Sequence, residues 1–267
     1  MLKATFNLTT IPFTKSIDTN NLFMSKQFKE LIRRMNMLIE QRGIGLFTGE
    51  VGCGKTTAII ASMNNLSKQS HKTVYLHRDC DNLGSFYKQI ALQLGIMPRF
   101  NRSEVATQVI TNINELFTQQ KITTVIAIDE AHLLKPDILD EIRLIHNNQY
   151  DSNDYLATII VGQTPLKKII EFNKFLPLKQ RLMVRYHLKS LSKNDAYDYF
   201  EHQLKVAKVN TRIFMDNAIE TIITVAKGIP RVINTLALKA MNTAAESKMT
   251  VVDQECVLNI LDELAIK

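Results

Sequence analysis

Five short apolar runs rich in β-branched residues occupy the first two thirds of the chain, at 44–48, 73–77, 122–128, 155–161 and 184–188. Each predicts a buried β-strand. Between them the apolar spacing changes to the helical period. Ser25 stands ahead of Phe28, Leu31, Ile32, Met35, Leu38 and Ile39, and Gly43 follows. This predicts a capped amphipathic helix. Helical spacing also runs over 83–94, closed by Gly95, and over 103–117, for which Ser103 is the predicted cap. Strands separated by helices pair in parallel through right-handed crossovers, giving a sheet covered on both faces.

Beyond Leu191 the strand pattern stops. Ser192 and Asp195 form a Ser-x-x-acid capping signature, Pro230 suits a first helical turn, and Asp253 caps Val257, Ile260 and Leu261. Ile219, Ile222, Ile223 and Ala226 add another apolar helix face. The fold expected is an α/β domain over 1–190, carrying an N-terminal extension at 1–24, followed by a small all-helical domain over 191–267.

Composition changes this picture little. The chain has 267 residues, 45% hydrophobic and 22% charged, which is ordinary globular usage and excludes disorder or a coiled coil. Three separated cysteines, Cys53, Cys80 and Cys256, fit neither a disulfide framework nor a zinc-ligand pair, so a reducing compartment is expected. The N-terminus lacks an apolar signal core, and no apolar run approaches the roughly 20 residues of a membrane span. A cytoplasmic protein without a membrane span is the expectation.

Charge is segmental. The net charge is +7, and 167–189 alone holds Lys167, Lys168, Lys174, Lys179, Arg181, Arg185 and Lys189 against Glu171. The first 42 residues are also basic, with Lys3, Lys15, Arg33 and Arg34 among them. Residues 129–154 are acidic, through Asp129, Glu130, Asp137, Asp140, Glu141, Asp151 and Asp154. Such polarity suits a polyanionic partner, or a basic edge of one copy meeting an acidic edge of the next.

Gly49-Glu50-Val51-Gly52-Cys53-Gly54-Lys55-Thr56 matches the phosphate-binding loop G-x-x-x-x-G-K-[ST] at every fixed position. It sits between a predicted strand and a helical run opening at Thr57, the context the motif requires. The glycines let backbone amides surround phosphate oxygens at a helix N-terminus, Lys55 reaches the β- and γ-phosphates, and Thr56 offers a hydroxyl to Mg²⁺. ATP and Mg²⁺ are therefore the expected ligands. Cys53 fills a variable position that needs only a small side chain.

Asp129 and Glu130 end the apolar run 125–128. In phosphate-loop NTPases an acid at this strand end helps hold Mg²⁺, and a following Glu polarises the attacking water. Adjacent strand residues point to opposite faces, which predicts a division of these roles between Asp129 and Glu130. His132 completes an Asp-Glu-Ala-His box shared with helicases, but those need two motor domains. It reads as a local polar or packing residue.

Taken in order, these motifs make the chain similar to AAA+ ATPases, and more closely to their ExeA-type branch, which includes transposon helper ATPases such as TnsC and IstB. The resemblance spans nearly the whole chain. Beyond the two nucleotide motifs it rests on Pro12-Phe13, Leu22 to Ser25, Val161-Gly162-Gln163, Gln180-Arg181-Leu182, Arg185 to Leu188 and Gly228-Ile229-Pro230-Arg231. It implies that Gln163 is the polar sensor of the γ-phosphate and that Arg231 is a second sensor in the helical domain. It also implies that Arg181, with Arg185 as the competing choice, is the arginine finger given to a neighbouring subunit. A guanidinium has the fork and permanent charge that phosphoryl transfer needs. A finger supplied by a neighbour requires a head-to-tail homo-oligomer, either a ring or a helical filament.

The same resemblance leaves two partner classes. One is a transposition helper that assembles on duplex DNA, marks a target and recruits or stimulates a transposase. The other is a secretion or envelope-assembly ATPase acting on protein partners. The DNA class is favoured by the basic composition. Its best contact is the segment Pro98-Arg99-Phe100-Asn101-Arg102-Ser103, where Arg99, Arg102 and the helix start at Ser103 suit backbone gripping without base reading.

Overall fold

The structure is a computed structural model that describes residues 2–14, 19–77, 80–146, 155–209 and 211–265. Lys15, Asp151 and Asp154 lie outside these residues. In chain order the elements are α1 (Leu2–Thr5), α2 (Lys26–Gln41), β1 (Ile44–Gly49), α3 (Lys55–Asn64), β2 (His71–His77), α4 (Leu83–Leu94), α5 (Arg102–Gln120), β3 (Thr123–Asp129), α6 (Pro136–His146), β4 (Leu156–Gly162), α7 (Thr164–Ile170), α8 (Leu176–Arg181), β5 (Leu182–Leu188), α9 (Lys193–Val206), α10 (Asp216–Ala226), α11 (Pro230–Glu246) and α12 (Gln254–Ala265). They divide into two compact units, one of residues 26–49 and 55–188, the other of residues 1–25, 50–54 and 189–267.

The α/β unit contains a five-stranded sheet in the order β2-β3-β4-β1-β5. All four pairings are parallel. β1, β3 and β4 are buried along their whole length, which is why they read as continuous apolar runs rather than alternating ones. α2 buries Phe28, Leu31, Met35, Leu38 and Ile39, the face its spacing predicts. α4 spans the predicted residues because both ends carry local signals. Asn82 and Ser85 form a capping box, and Gly95 closes the helix at φ 88°. α5 departs from expectation: it begins at Arg102 after Asn101, so Ser103 lies inside the first turn and is not the cap.

The outer edge of β2 is closed by one side chain. Gln93 on α4 accepts from the Tyr75 amide at 2.8 Å and donates to the Tyr75 carbonyl at 2.7 Å. A primary amide thus replaces a neighbouring strand at this point, blunting an exposed edge.

The helical unit is built from α9 to α12, and the chain's beginning packs with it. Phe6, Leu8 and Phe13 are buried in its core. The Phe13 ring lies 4.7 Å from that of Phe200 and 5.9 Å from that of Phe214. This differs from the expected division, which put 1–24 with the α/β domain: three large apolar side chains that a solvated extension would expose are buried here in the core of the helical unit, Phe13 against Phe200 of α9 and Phe214 before α10. Ser192 accepts from the Asp195 amide, and Asp253 from the Cys256 amide, as their capping patterns predict. Gly228, at φ 72°, lets Leu191 approach; a Cβ there would lie 2.0 Å from the Leu191 carbonyl oxygen.

Among the described residues no helix is long and apolar enough to cross a membrane. None of the three cysteines forms a disulfide, and all are buried.

Candidate active site

The carboxyl ends of β1, β4 and β3 lie side by side, because β4 pairs with both of the others. Open parallel sheets bind ligands at this end of their strands. β1 leads into the predicted phosphate loop, where Gly52 and Gly54 take φ values of 82° and 101°. Only glycine reaches these torsions readily, and they turn successive amides inward as an anion nest requires. Gly49 is fixed by a neighbour: a Cβ would lie 2.5 Å from the Leu188 carbonyl oxygen on β5. α3 begins at Lys55, two residues before the expected start, so the loop runs straight into a helix N-terminus and Thr57 falls inside its first turn. Glu50 and Val51 are exposed at the loop tip, and Cys53 is buried.

Lys55 is 6% exposed. Its Nζ donates to the Gly49 carbonyl at 2.9 Å, so the amine is folded onto the loop that would hold phosphates. Thr56 Oγ1 donates to Asp129 Oδ2 at 2.6 Å. Asp129, the last residue of β3, is 1% exposed. Its Oδ1 accepts from the Glu130 amide at 2.8 Å. Its Oδ2 also accepts from the Tyr75 hydroxyl at 3.0 Å.

Tyr75 is the residue that sequence reasoning missed. Burial, and then the Asp129 carboxylate, push its phenol far above the ordinary range, so it remains a donor. The signal was present only in part. Val74 and Leu76 are the buried positions of β2, which puts Tyr75 on the alternate face. That this face meets Asp129 depends on β2 lying beside β3, a pairing that local pattern does not reveal.

Glu130 is not on the strand. It takes φ 52°, ψ 33°, a left-handed conformation costing a non-glycine residue about 1–3 kcal/mol. The expected pleat alternation is therefore corrected: Asp129 and Glu130 diverge because the chain turns sharply after β3. Glu130 Oε2 accepts from Gln163 Nε2 at 3.1 Å, and His132 Nε2 stands 3.5 Å from the same oxygen. Gln163 is at the N-cap position of α7, directly after β4. The structure thus brings Lys55, Thr56, Asp129, Glu130 and Gln163 together at one end of the sheet.

This donor set fits a nucleoside triphosphate with Mg²⁺. A hydroxyl and a carboxylate are hard oxygen ligands of the kind Mg²⁺ takes, usually with substrate phosphates completing its shell. When bound, the ion neutralises charge between phosphate oxygens. The nest and Lys55 can hold the phosphates, while Glu130 can accept a proton from water.

In the helical unit, Arg231 is exposed on the first turn of α11. Its amide faces the Gly52 carbonyl at 3.3 Å. A Cβ at Gly52 would lie 2.7 Å from that of Arg231, so the glycine is required by close approach as well as by torsion.

The two finger candidates differ. Arg185, on β5, donates to the Lys179 carbonyl and is thereby engaged within its own unit. Arg181 is exposed at the end of α8, and its side chain has no hydrogen bond or ion pair among the described residues. Part of the basic segment is also spent internally: Lys174 pairs with Asp137 at 3.3 Å, and Lys179 with Glu171. Arg33 and Arg34 share Glu30, whose carboxyl these hydrogen bonds hold down at about 2.

The segment after α4 is open to solvent, with Arg99, Phe100, Asn101, Arg102 and Ser103 all exposed. Lys88, Leu92, Met97, Arg99, Phe100 and Arg102 line a groove of about 580 Å³ there. Arg99 lies 3.8 Å from Glu104.

Comparison with known proteins places this geometry. Residues 37–170 match the AAA domain family. The chain is 30% identical over 250 residues to general secretion pathway protein A of Aeromonas hydrophila, covering 90% of this chain and 44% of that relative. It therefore spans less than half the length of this curated relative. Among solved structures, Cdc6p of Pyrobaculum aerophilum superposes with a TM-score of 0.69 at 16% identity, over 90% of this chain and 67% of that one. The ORC2 protein of Aeropyrum pernix, solved as ADPNP and ADP complexes, gives 0.70 at 15% identity, over 94% and 70%. At these identities the structures show a shared fold.

Proposed function

This chain belongs to the AAA domain family, and from that premise we propose that it is an ATP-driven switch whose turnover depends on Glu130 and on Arg181 of a neighbouring copy. The observation that carries the reading is the Thr56–Asp129 hydrogen bond at 2.6 Å beside a complete phosphate loop. In this reading Lys55 and the amides of 50–56 bind phosphates, and Thr56 and Asp129 hold Mg²⁺. Glu130 orients water and accepts its proton, while Gln163 senses the γ-phosphate and Arg231 is the second sensor. Arg181 is preferred over Arg185 as the finger because Arg185 is already engaged. Activity then requires a head-to-tail homo-oligomer. Full ATPase activity in a dilute, strictly monomeric preparation defeats that part of the reading.

For the partner, we favour a protein of a secretion or envelope-assembly system, since the secretion-pathway relative matches 90% of this chain. A second reading is a DNA-dependent transposition helper that recruits a transposase. It is favoured by exposed Arg99, Phe100 and Arg102 on one segment, with Ser103 beside them, a combination of cations and an aromatic suited to a phosphate backbone. Binding to long duplex DNA at low salt, with a nonhydrolysable ATP analogue, separates the two. The DNA reading predicts ATP-dependent affinity that falls steeply with salt. The secretion reading predicts no measurable binding.

A further inference from the structure

His132 lies just beyond β3, and neither phosphate binding nor metal binding accounts for it. Its side chain is 11% exposed. The Gln163 backbone amide donates to its Nδ1 at 3.4 Å. A backbone N–H only donates, so Nδ1 carries the lone pair and the proton of the neutral ring sits on Nε2. That N–H is on the nitrogen 3.5 Å from Glu130 Oε2. The same oxygen accepts from the Gln163 side chain at 3.1 Å.

Two nitrogens therefore stand near one carboxylate oxygen, Gln163 Nε2 in a hydrogen bond and His132 Nε2 at 3.5 Å, and both are tied to Gln163: one belongs to its side-chain amide, the other to a ring held by its backbone. Glu130 needs such anchoring, because its left-handed backbone lies beyond the end of β3. The approach of the two segments is close, since a Cβ at Gly162 would lie 3.2 Å from the His132 backbone nitrogen.

We propose that His132 is a positioning residue that links the end of β4 to the Glu130 carboxylate. It fixes Oε2 between two donors and leaves Oε1 to accept from the attacking water. A displacement of Gln163 then moves the His132 ring and the carboxylate together. The inference rests on the reading of Glu130 as the water-orienting group.

The test compares His132→Phe, which keeps a ring but removes both nitrogens, with His132→Gln, which restores an amide donor. Glu130→Gln is assayed alongside, with kcat, KM and affinity for a fluorescent ATP analogue measured for each. His132→Phe is expected to lower kcat about tenfold, in line with the sensitivity of catalysis to small misplacements. KM and analogue affinity should stay within about twofold of native, and His132→Gln should recover most of the loss. If His132→Phe does not fold, His132→Asn, too short to reach Glu130, takes its place with the same expected loss. Native kcat in the donor-less variant, or equal impairment in the Phe and Gln variants, overturns the proposal while leaving the Glu130 reading intact. Native turnover in Glu130→Gln overturns both.

Discussion

The Thr56 hydroxyl and the Asp129 carboxylate meet at 2.6 Å, although 73 positions separate them in the chain. The contact joins the first turn of α3 to the end of β3, and it assembles the oxygen pair proposed to hold Mg²⁺. Thr56→Val keeps the shape of the side chain and removes its oxygen. We expect it to lower ATP turnover at least about tenfold and to raise the Mg²⁺ concentration needed for half-maximal activity. A magnesium titration of steady-state hydrolysis checks this, and an unchanged midpoint contradicts it.

Tyr75 supports the same carboxylate from the neighbouring strand, at 3.0 Å. Tyr75→Phe removes one donor and leaves the ring in place. The expected result is a loss of kcat of about tenfold or more, roughly the scale of one hydrogen bond to a charged group, with analogue affinity nearly unchanged. Equal kcat in the two proteins makes Tyr75 a packing residue only.

Gly52 combines φ 82° with a position where a Cβ would lie 2.7 Å from the Arg231 Cβ and 3.1 Å from Ile229 Cγ2. Both constraints act within the helical unit. Gly52→Ala should destabilise that unit by about 1–3 kcal/mol, visible as a lowered thermal midpoint. An unchanged midpoint means that the loop and α11 can separate at no cost.

Stability should fall in alkali. Burial pushes the Tyr199 phenol up to about 12, and it pushes those of Tyr75 and Tyr87 further, each aided by a nearby carboxylate. In the unfolded chain tyrosine ionises near about 10. Folded-state values raised above the unfolded one mean that their contribution is complete below about pH 10 and declines as pH rises through about 12 and beyond. Urea midpoints at pH 8, 10 and 11 check this, and Tyr199→Phe should remove part of the slope. A midpoint constant across that range contradicts the assignment.

Much of this fold was legible where the signal is local. α4 matched its pattern because Asn82, Ser85 and Gly95 mark both ends. β3 and β4 matched because burial on both faces leaves unbroken apolar runs. The phosphate loop was legible for the same reason, since its glycines are needed by local torsion. The start of α5 was misread because Asn101, Arg102 and Ser103 offer overlapping start signals, and no side-chain cap forms at Asn101. The burial of Phe6, Leu8 and Phe13 was illegible, because the core they join, with Phe200 and Phe214 beside Phe13, is built from residues nearly two hundred positions on. The turn at Glu130 was also hidden: nothing in Asp-Glu-Ala-His announces a left-handed residue, and it is this turn that brings Glu130 to Gln163.

In the proposed mechanism Glu130 carries the hydrolytic step and is dispensable for nucleotide binding. The most direct measurement is ATP turnover and ATP-analogue affinity in Glu130→Gln, side by side with the native protein. Affinity is expected within about threefold of native and turnover is expected to fall by about 10²-fold or more, the scale of a lost general base. Turnover at the native rate would contradict it and require another group to activate the water.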